Sequence, residues 1–366
     1  MAASASGLRK HGGARGPDAG PGLRRRFRLS ERIAEALITG VAFTSLAAIV
    51  LIFLFVFREA IPLFGTTGSS PPRSVVPQVE ESYGEEYLGG GSRALEAEKA
   101  QAPGEKTPAA EGEGALATLL SVDWQPVSGH PRFGLLPLVL GTLKVTLLAV
   151  LIASPLAILS ALFTASFAPR KLKEVIKPAI ELLAAFPSVV IGFFALVTLA
   201  SVLQGIFGFQ YRLNALVGGM AMSLAVIPIV YTVAEDSLAA VPRPLGEGSL
   251  ALGASRWQTA LFVTLPAATP GIFAAVLLGF GRAFGETMIV LMATGNAPLA
   301  GPGLLEPVRT MSASIGAEMA EVIFGDTHYH VLFLLGALLF LFTFGVHAVA
   351  EGWIRQRLLR RFRGEP

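Results

Sequence analysis

Residues 247–266 of the chain, EGSLALGASRWQTALFVTLP, are a polar, helix-favouring segment between two strongly apolar stretches. Such a segment lies at a membrane surface, where a membrane protein meets a soluble partner. Gly253 supplies a turn that other residues resist, and Pro266 favours an extended Leu265 and a break before the next apolar stretch. We therefore predict a short surface helix that a partner protein can push. The alternative is an ordinary interfacial helix.

The composition of the whole chain is that of a membrane protein. Of its 366 residues, 52% are hydrophobic and only 15% are charged, and the mean hydropathy is +0.60. A soluble domain of this size is less apolar. Cysteine is absent, which excludes disulfides and thiolate metal sites but indicates no compartment. The basic residues cluster beside apolar stretches, so they indicate membrane topology and not nucleic-acid binding.

Apolar stretches of the chain predict six transmembrane helices and an all-α integral membrane fold. In chain order they cover about 33–57, 135–163, 188–203, 213–233, 271–293 and 331–349. The second stretch contains Pro155, so we expect it to be kinked.

The segments between these helices predict the orientation of the protein. Segments dense in Lys and Arg fall on one side if both termini are cytoplasmic, as the positive-inside rule requires. Polar segments rich in Gly, Pro, Ser and Glu cannot bury enough apolar surface to fold. The resulting organisation is a disordered cytoplasmic tail (1–30), a first transmembrane helix (31–64), a disordered extracytoplasmic insert (65–130), a core of five transmembrane helices (131–350) with a cytoplasmic loop (234–270), and a basic cytoplasmic tail (351–366).

An arginine and a glutamate lie inside the fifth predicted transmembrane helix. The sequence LLGFGRAFGETMIV (277–290) places Arg282 and Glu286 four residues apart, so on a helix both project from one face. Each charge near the bilayer centre costs roughly 2.5–3.5 kcal/mol, which makes such residues rare unless they are used. Gly281 and Gly285 share this spacing and would let a neighbouring helix approach closely. The charged pair is therefore expected to face a protein interface or an aqueous path.

Two roles are open for this pair. The guanidinium of Arg282 would meet an anionic substrate while Glu286 holds it in place, or the two would form an ion pair that only locks helices together. Arginine suits oxyanions because its planar fork donates two parallel hydrogen bonds and keeps its charge. In the first role Glu286 must be neutralised by Arg282 or by a partner, since a free carboxylate would repel the anion.

Missing motifs disfavour other kinds of chemistry. The chain has no G-x-x-x-x-G-K-[ST] loop, so it does not bind ATP phosphates by that mechanism, and active transport would draw its energy from a partner. His328 and His330 flank Tyr329 without an evident third ligand, and no metal site is predicted. No nucleophilic triad motif is present either.

Several segments together resemble the PstC-type permease subunit of the bacterial phosphate ABC importer. The resemblance covers nearly all of residues 123–350. Its segments are DWQPVSGHPRFGLLPLVLGTLKVT (123–146), AIELLAAFPSVVIGFFAL (179–196), the opening segment at 247–266, RAFGETM (282–288), and MSASIGAEM (311–319) followed by THYHVLF (327–333). Residues 247–266 are similar to the cytoplasmic EAA loop of ABC importer permeases, with EGS in place of EAA. The loop residues that carry this likeness or are expected to couple to the ATPase are Glu247, Gly253, Ala254, Arg256, Leu265 and Pro266.

The resemblance implies a type I ABC importer with MetI-like permeases in the bacterial inner membrane. The expected partners are a second permease (PstA-like), two ATPase subunits (PstB-like), an extracytoplasmic phosphate-binding protein (PstS-like) and membrane lipid, with no nucleic acid. This chain would be a transport subunit and not an enzyme. It would bind no cofactor, because ATP and Mg would be bound by the ATPase subunits. The resemblance places Arg282, Glu286 and the adjacent Thr287 in the substrate pathway.

The expected mechanism follows from these parts. A binding protein releases phosphate into a cavity between two permeases, and closure of the ATPases moves the segment at 247–266 and switches the side to which the cavity opens. The alternatives are a permease for another oxyanion, sulfate or molybdate, and a stand-alone channel or secondary transporter.

Overall fold

The computed structural model describes residues 29–65, 119–128 and 131–355. It divides into two compact units, residues 1–53 and 54–366. Of the first unit the structure describes one helical segment, which begins at Leu29. Most of the tail predicted at 1–30, of the insert predicted at 65–130 and of the tail predicted at 351–366 lies outside the described residues.

The described chain is almost entirely helical, which confirms the predicted fold class. One short hairpin pairs Trp124 with Phe133 and Gln125 with Arg132. The elements are α1 (Leu29–Ala60), α2 (Pro62–Gly65), β1 (Trp124–Gln125), β2 (Arg132–Phe133), α3 (Leu136–Ser166), α4 (Arg170–Ala184), α5 (Ser188–Phe194), π1 (Ala195–Leu199), α6 (Ala200–Phe207), α7 (Ala215–Ala239), α8 (Arg243–Ala251), α9 (Arg256–Thr259), π2 (Ala260–Thr264), α10 (Leu265–Ala267), α11 (Thr269–Phe284), α12 (Met288–Ala293), α13 (Met311–Glu318), α14 (Thr327–Val349) and π3 (Ala350–Arg355), where π marks a turn of π-helix.

Four described helical segments are long and apolar enough to cross a membrane. They cover 136–166, 188–207, 215–239 and 327–352, and they match the second, third, fourth and sixth predicted transmembrane helices. A bent pair, Arg256–Ala267 and Thr269–Phe284, passes the same test as one span with a bend of 70°. The first predicted transmembrane helix lies inside α1, and its crossing of the membrane stays a prediction.

The fifth predicted transmembrane helix is wrong as a single helix over 271–293. In the structure α11 ends at Phe284 and α12 begins at Met288. Residues 285–287 between them are called the break below. Glycine is a poor helix former, and Gly285 is the residue at which α11 stops.

The ordered core begins earlier than predicted. The insert was expected to be disordered as far as residue 130, but β1 lies inside it and pairs with β2. Trp124 is only 3% exposed, and burial of a large aromatic side chain stabilises the short hairpin to which it belongs. The hairpin region is therefore part of the folded protein from residue 119 onward, with residues 129 and 130 outside the described part.

Helices α3 and α7 pack closely at the centre of the larger unit. In a bilayer, helix association depends on close van der Waals packing, which small residues permit. On α7, Gly219 lies against Leu148 and Ala149 of α3. A row of fully buried alanines follows α3 at intervals of four residues: Ala149, Ala153, Ala157 and Ala161.

The helix α4 is attached to the end of α7 by a lysine. Lys177 Nζ lies 2.9 Å from Glu235 Oε2 and 3.3 Å from Asp236 Oδ1. The bond to Glu235 is the main cause that raises the pKa of Lys177 to about 12. Because this folded-state pKa lies above the ordinary value, the stabilisation is present at neutral pH and is lost only as the pH rises through about 12.

Replacing Gly219 by alanine is expected to destabilise the isolated subunit. The added Cβ would lie 2.6 Å from Leu148 Cβ, far closer than two carbon atoms pack. We expect a loss of about 1–3 kcal/mol in the free energy of unfolding, measured as a lower thermal unfolding midpoint in detergent. The matched control is Gly205→Ala on α6, where an added Cβ meets nothing within 4 Å. Equal midpoints for the two variants would contradict this packing.

Candidate functional site

Arg282 and Glu286 form an ion pair beside the break. Arg282 Nη1 lies 3.2 Å from Glu286 Oε2. The two residues do not share a helix, because Arg282 is in the last turn of α11 and Glu286 lies beyond its end. The prediction that both project from one face of a single helix is therefore wrong, although the side chains still meet across the break.

The two charges of this pair differ in burial. The Glu286 side chain is 5% exposed, whereas that of Arg282 is 50% exposed. A guanidinium has five N–H donors, and the contact with Glu286 uses only one side of it. The site is thus a cation that is partly neutralised from the protein side and open on the other side.

A small cavity of about 40 Å³ lies next to Arg282. This is more than the room that one water molecule needs. It is lined by residues from the end of α4, the start of α5 and the middle of α7: Leu183, Ala184, Phe186, Ser188, Ile191, Ala225 and Ile229. Arg282 therefore faces the region where α4 turns into the third transmembrane segment, and is not sealed in a dry contact.

The backbone of the break is held by helix α13. Ser312 Oγ donates a 2.6 Å hydrogen bond to the carbonyl oxygen of Glu286. A Cβ added at Gly316 would lie 2.6 Å from Thr287 Cγ2, so α13 touches the break at two points. Thr310 caps the start of α13 by accepting a hydrogen bond from the Ala313 amide.

Sequence reasoning missed α13 as a structural element. The segment MSASIGAEM (311–319) is noted only for its family resemblance, because nine residues, most of them small or polar, give no apolar signal of span length. The available signal was Thr310, a side chain of the type that caps helix starts.

Of the two glycines predicted to admit a neighbouring helix, only Gly281 has one nearby. An added Cβ at Gly281 would lie 2.6 Å from His347 Cε1 on α14. At Gly285 the nearest such atom is the carbonyl oxygen of Gly281, at 3.9 Å. Among the described residues no second helix approaches Gly285, so its absent side chain leaves space beside Glu286.

The two histidines noted in the sequence both bond to other parts of the protein. His328 Nε2 lies 2.8 Å from Glu318 Oε2, and His330 Nδ1 lies 2.7 Å from the carbonyl oxygen of Glu59. Each therefore fastens the start of α14 to another element.

The predicted surface segment contains two short helices with a tight turn between them. Gly253 has φ +92°, a backbone conformation that glycine adopts readily and other residues resist. The turn between α8 and α9 therefore depends on this glycine, as the sequence predicted. The next helix starts with a capping box, in which Ser255 and Gln258 exchange hydrogen bonds.

The predicted residues of this segment are distributed along it. Glu247 lies in α8, Ala254 follows the glycine turn, and Arg256 opens α9. Glu247 and Arg256 are exposed. The large apolar side chains of Leu252, Trp257 and Phe262 are also exposed, which the sequence reasoning did not single out.

The prediction of an extended Leu265 is wrong, whereas the predicted break before the next apolar stretch is present. Leu265 has the helical values φ −61° and ψ −48°, and the 70° bend lies after Ala267. The reason is the π-helical turn before it, in which the Leu265 amide bonds to the carbonyl oxygen of Ala260. A proline ring normally clashes with the carbonyl four residues earlier, and the wider π turn relieves that clash.

The sequence pattern of the family described as "Binding-protein-dependent transport system inner membrane component" matches residues 153–359, more than half of the chain. The chain belongs to this family. Within it, the chain is an ABC permease of the PstC type. Permeases of the family are transport subunits of multi-pass inner membrane complexes.

Two relatives support this placement. The permease is 36% identical to the probable ABC transporter permease protein YqgH of Bacillus subtilis, over 64% of this chain and 75% of that protein. It is 34% identical to the phosphate transport system permease protein PstC of Mesorhizobium japonicum, over 64% of this chain and 76% of that protein.

A solved structure shows the same fold. The crystal structure of a bacterial ABC transporter involved in the import of the acidic polysaccharide alginate covers 90% of this permease and 99% of its own matched chain, with a TM-score of 0.52 and 14% identity. Such permeases work with ATPase and substrate-binding partners. The exposed apolar side chains after α8, in α9 and in π2 are available for such a contact.

Replacing Gly253 by valine is expected to uncouple the permease from its ATPase partner. A β-branched residue is strongly disfavoured at φ +92°, so the turn between α8 and α9 must change. ATP hydrolysis by the reconstituted complex should lose its stimulation by the binding protein while basal hydrolysis persists. Gly248→Val on α8, where an added Cβ meets nothing within 4 Å, is the control. Unchanged stimulation in Gly253→Val would show that this turn is not used in coupling.

Proposed function

We propose that this permease passes inorganic phosphate through the bacterial inner membrane as one subunit of an ATP-driven importer. Its partners in this proposal are a PstA-like second permease, two PstB-like ATPase subunits and a PstS-like phosphate-binding protein outside the membrane. The ATPase subunits bind ATP and Mg, and this chain binds no cofactor. Both termini are cytoplasmic.

The observation that carries the proposal is the half-exposed guanidinium of Arg282 beside a buried carboxylate. Its free N–H donors form a planar fork that matches two oxygens of phosphate. PstC-named relatives, which are phosphate transport system permeases, support phosphate over sulfate or molybdate. Membership of an importer permease family argues against a stand-alone channel or secondary transporter.

Glu286 accounts for the release of the ion from such a site. Two unit charges 4 Å apart attract by about 4 kcal/mol at an effective dielectric constant of 20, which corresponds to about a thousandfold in affinity. An unopposed arginine would therefore hold a phosphate for too long. The Glu286 carboxylate offsets part of this attraction, and a transported ion needs binding that is favourable but weak.

Helix α11 connects this site with the surface segment. Arg282 lies at one end of the helix, and the bend after Ala267 joins its other end to π2 and α9. With 16 residues, α11 is about 24 Å long. In the proposed mechanism, closure of the ATPases moves α8 and α9, and α11 carries that movement to the break and switches access to Arg282.

Replacing Arg282 by alanine is expected to reduce phosphate uptake at least tenfold, and replacing it by lysine should also impair uptake. Alanine removes both charge and donors, and each hydrogen bond to a charged group is worth about 1.5–3 kcal/mol. Lysine keeps the charge but loses the planar fork. The measurement is uptake of radiolabelled phosphate by vesicles that contain the reconstituted complex.

The control for this experiment is Arg170→Ala, at the exposed start of α4. Co-purification of the partner subunits shows that each variant assembles. Normal uptake by an assembled Arg282→Ala complex would show that Arg282 is not part of the substrate pathway. Uptake of radiolabelled sulfate or molybdate in place of phosphate would instead assign the complex to another oxyanion.

A further inference from the structure

Glu318, the last residue of α13, joins three distant parts of the chain. Its Oε1 lies 2.8 Å from Arg309 Nη2 and accepts a 3.2 Å hydrogen bond from Trp124 Nε1. Its Oε2 lies 2.8 Å from His328 Nε2. These partners come from β1, from the loop before α13 and from the start of α14. The four side chains are called the Glu318 cluster below.

The position of this carboxylate is unfavourable without its partners. A negative charge at the end of a helix lies against the negative end of the helix dipole, and the Glu318 side chain is only 11% exposed. Removing one partner of a nearly buried charge is costly. The three partners compensate for this cost, so Glu318 fixes the end of α13 relative to the hairpin and α14.

Aromatic contacts extend the same attachment to the hairpin. The ring centroids of Trp124 and Phe133 are 6.0 Å apart, and those of Phe133 and His328 are 5.8 Å apart. The Gly134 amide bonds to the carbonyl oxygen of Asp123 at 2.8 Å, which closes the hairpin. A displacement of the hairpin therefore pulls on Glu318 through Trp124 and His328.

Helix α13 also holds the break, through contacts at both of its ends. Ser312 donates to the Glu286 carbonyl oxygen, and Gly316 lies against Thr287. The Met311 amide bonds to Thr142 Oγ1 on α3 at 3.0 Å, which gives the first turn of α13 a fixed support. With eight residues, α13 spans about 12 Å. One short helix thus connects the Glu318 cluster with the ion pair.

We propose that Glu318 is a positioning residue that sets the geometry of Glu286 and Arg282 through α13. The hairpin contacts Glu318, α13 transmits the displacement, and the break changes its conformation. The importance of this coupling for transport rests on the proposed function, in which the hairpin lies on the outer face and the ion pair contacts phosphate. In that arrangement, contact of the binding protein with the hairpin changes the anion site through α13, without a long chain of intermediate movements.

The test uses the absence of cysteine from this chain. A single Gly285→Cys substitution introduces a thiol in the break, at an exposed position where an added Cβ meets nothing closer than 3.9 Å. Its rate of reaction with a methanethiosulfonate reagent, measured in the reconstituted complex, reports the local conformation beside Glu286. This readout requires no transported substrate.

Two variants loosen the cluster in different ways. Glu318→Gln keeps the shape of the side chain but removes its charge. Trp124→Phe removes only the Nε1 hydrogen bond and keeps an aromatic ring against Phe133. In both we expect the thiol at position 285 to react about five- to tenfold faster, the size of a moderate coupling between sites. Glu321→Gln, an exposed acid one turn further on, should leave the rate unchanged.

The outcomes separate this inference from the proposed function. Unchanged reaction rates in both variants, with intact assembly, would overturn the coupling. A faster rate in Glu318→Gln alone would show that the hairpin takes no part in the coupling. If the rates rise as expected but the parent complex transports no phosphate, the coupling stands and the proposed substrate is wrong. If the parent transports phosphate, binding-protein-stimulated ATP hydrolysis should fall in Glu318→Gln, and basal hydrolysis should not.

Discussion

The structure depends on how one carboxylate is accommodated inside an apolar helical protein. Glu286 is 5% exposed at its side chain, and an unpaired charge in such a place is costly. The chain meets this constraint with the ion pair to Arg282, and because α11 ends at Phe284 the carbonyl oxygen of Glu286 accepts from Ser312. A continuous helix would use that carbonyl in its own backbone ladder. The break and the contact with α13 therefore both belong to the way in which the protein accommodates Glu286.

This arrangement makes α11 a rod with an irregular joint at each end. One end is the break, and the other is the bend after Ala267, preceded by the π-helical turn. Irregular joints have few backbone hydrogen bonds to lose, so movement is concentrated there while the helix between them keeps its shape. The guanidinium of Arg282 lies at the distal end of the rod. In the proposed mechanism, a change at the surface segment (247–266) thus has a direct route through α11 to the charged pair.

Hydropathy predicted most of the long apolar helices, because an apolar stretch of span length is rarely anything but a helix that crosses the bilayer. Residue spacing and type predicted the meeting of Arg282 with Glu286 and the special backbone at Gly253. Prediction failed where tertiary contacts override local preference. A helical Leu265 before a proline requires the π turn, and the break requires Ser312, which is distant in sequence. The family resemblance covered the segments around the hairpin and α13, but no local pattern shows that they touch.

Two helices, α11 and α13, contact the break or its ion pair. In the proposed mechanism, α11 transmits the position of the surface segment to Arg282, and α13 transmits the position of the Glu318 cluster to Glu286. Because Arg282 lies in α11 and Glu286 lies in the break beyond its end, their separation can change when α11 or the break moves, which would not happen if both were on one rigid helix. A longer separation exposes an arginine that binds anions more strongly, and a shorter one weakens its attraction for them. In the proposed mechanism, the break after α11 thus allows the affinity of Arg282 for an anion to follow the conformation of the complex.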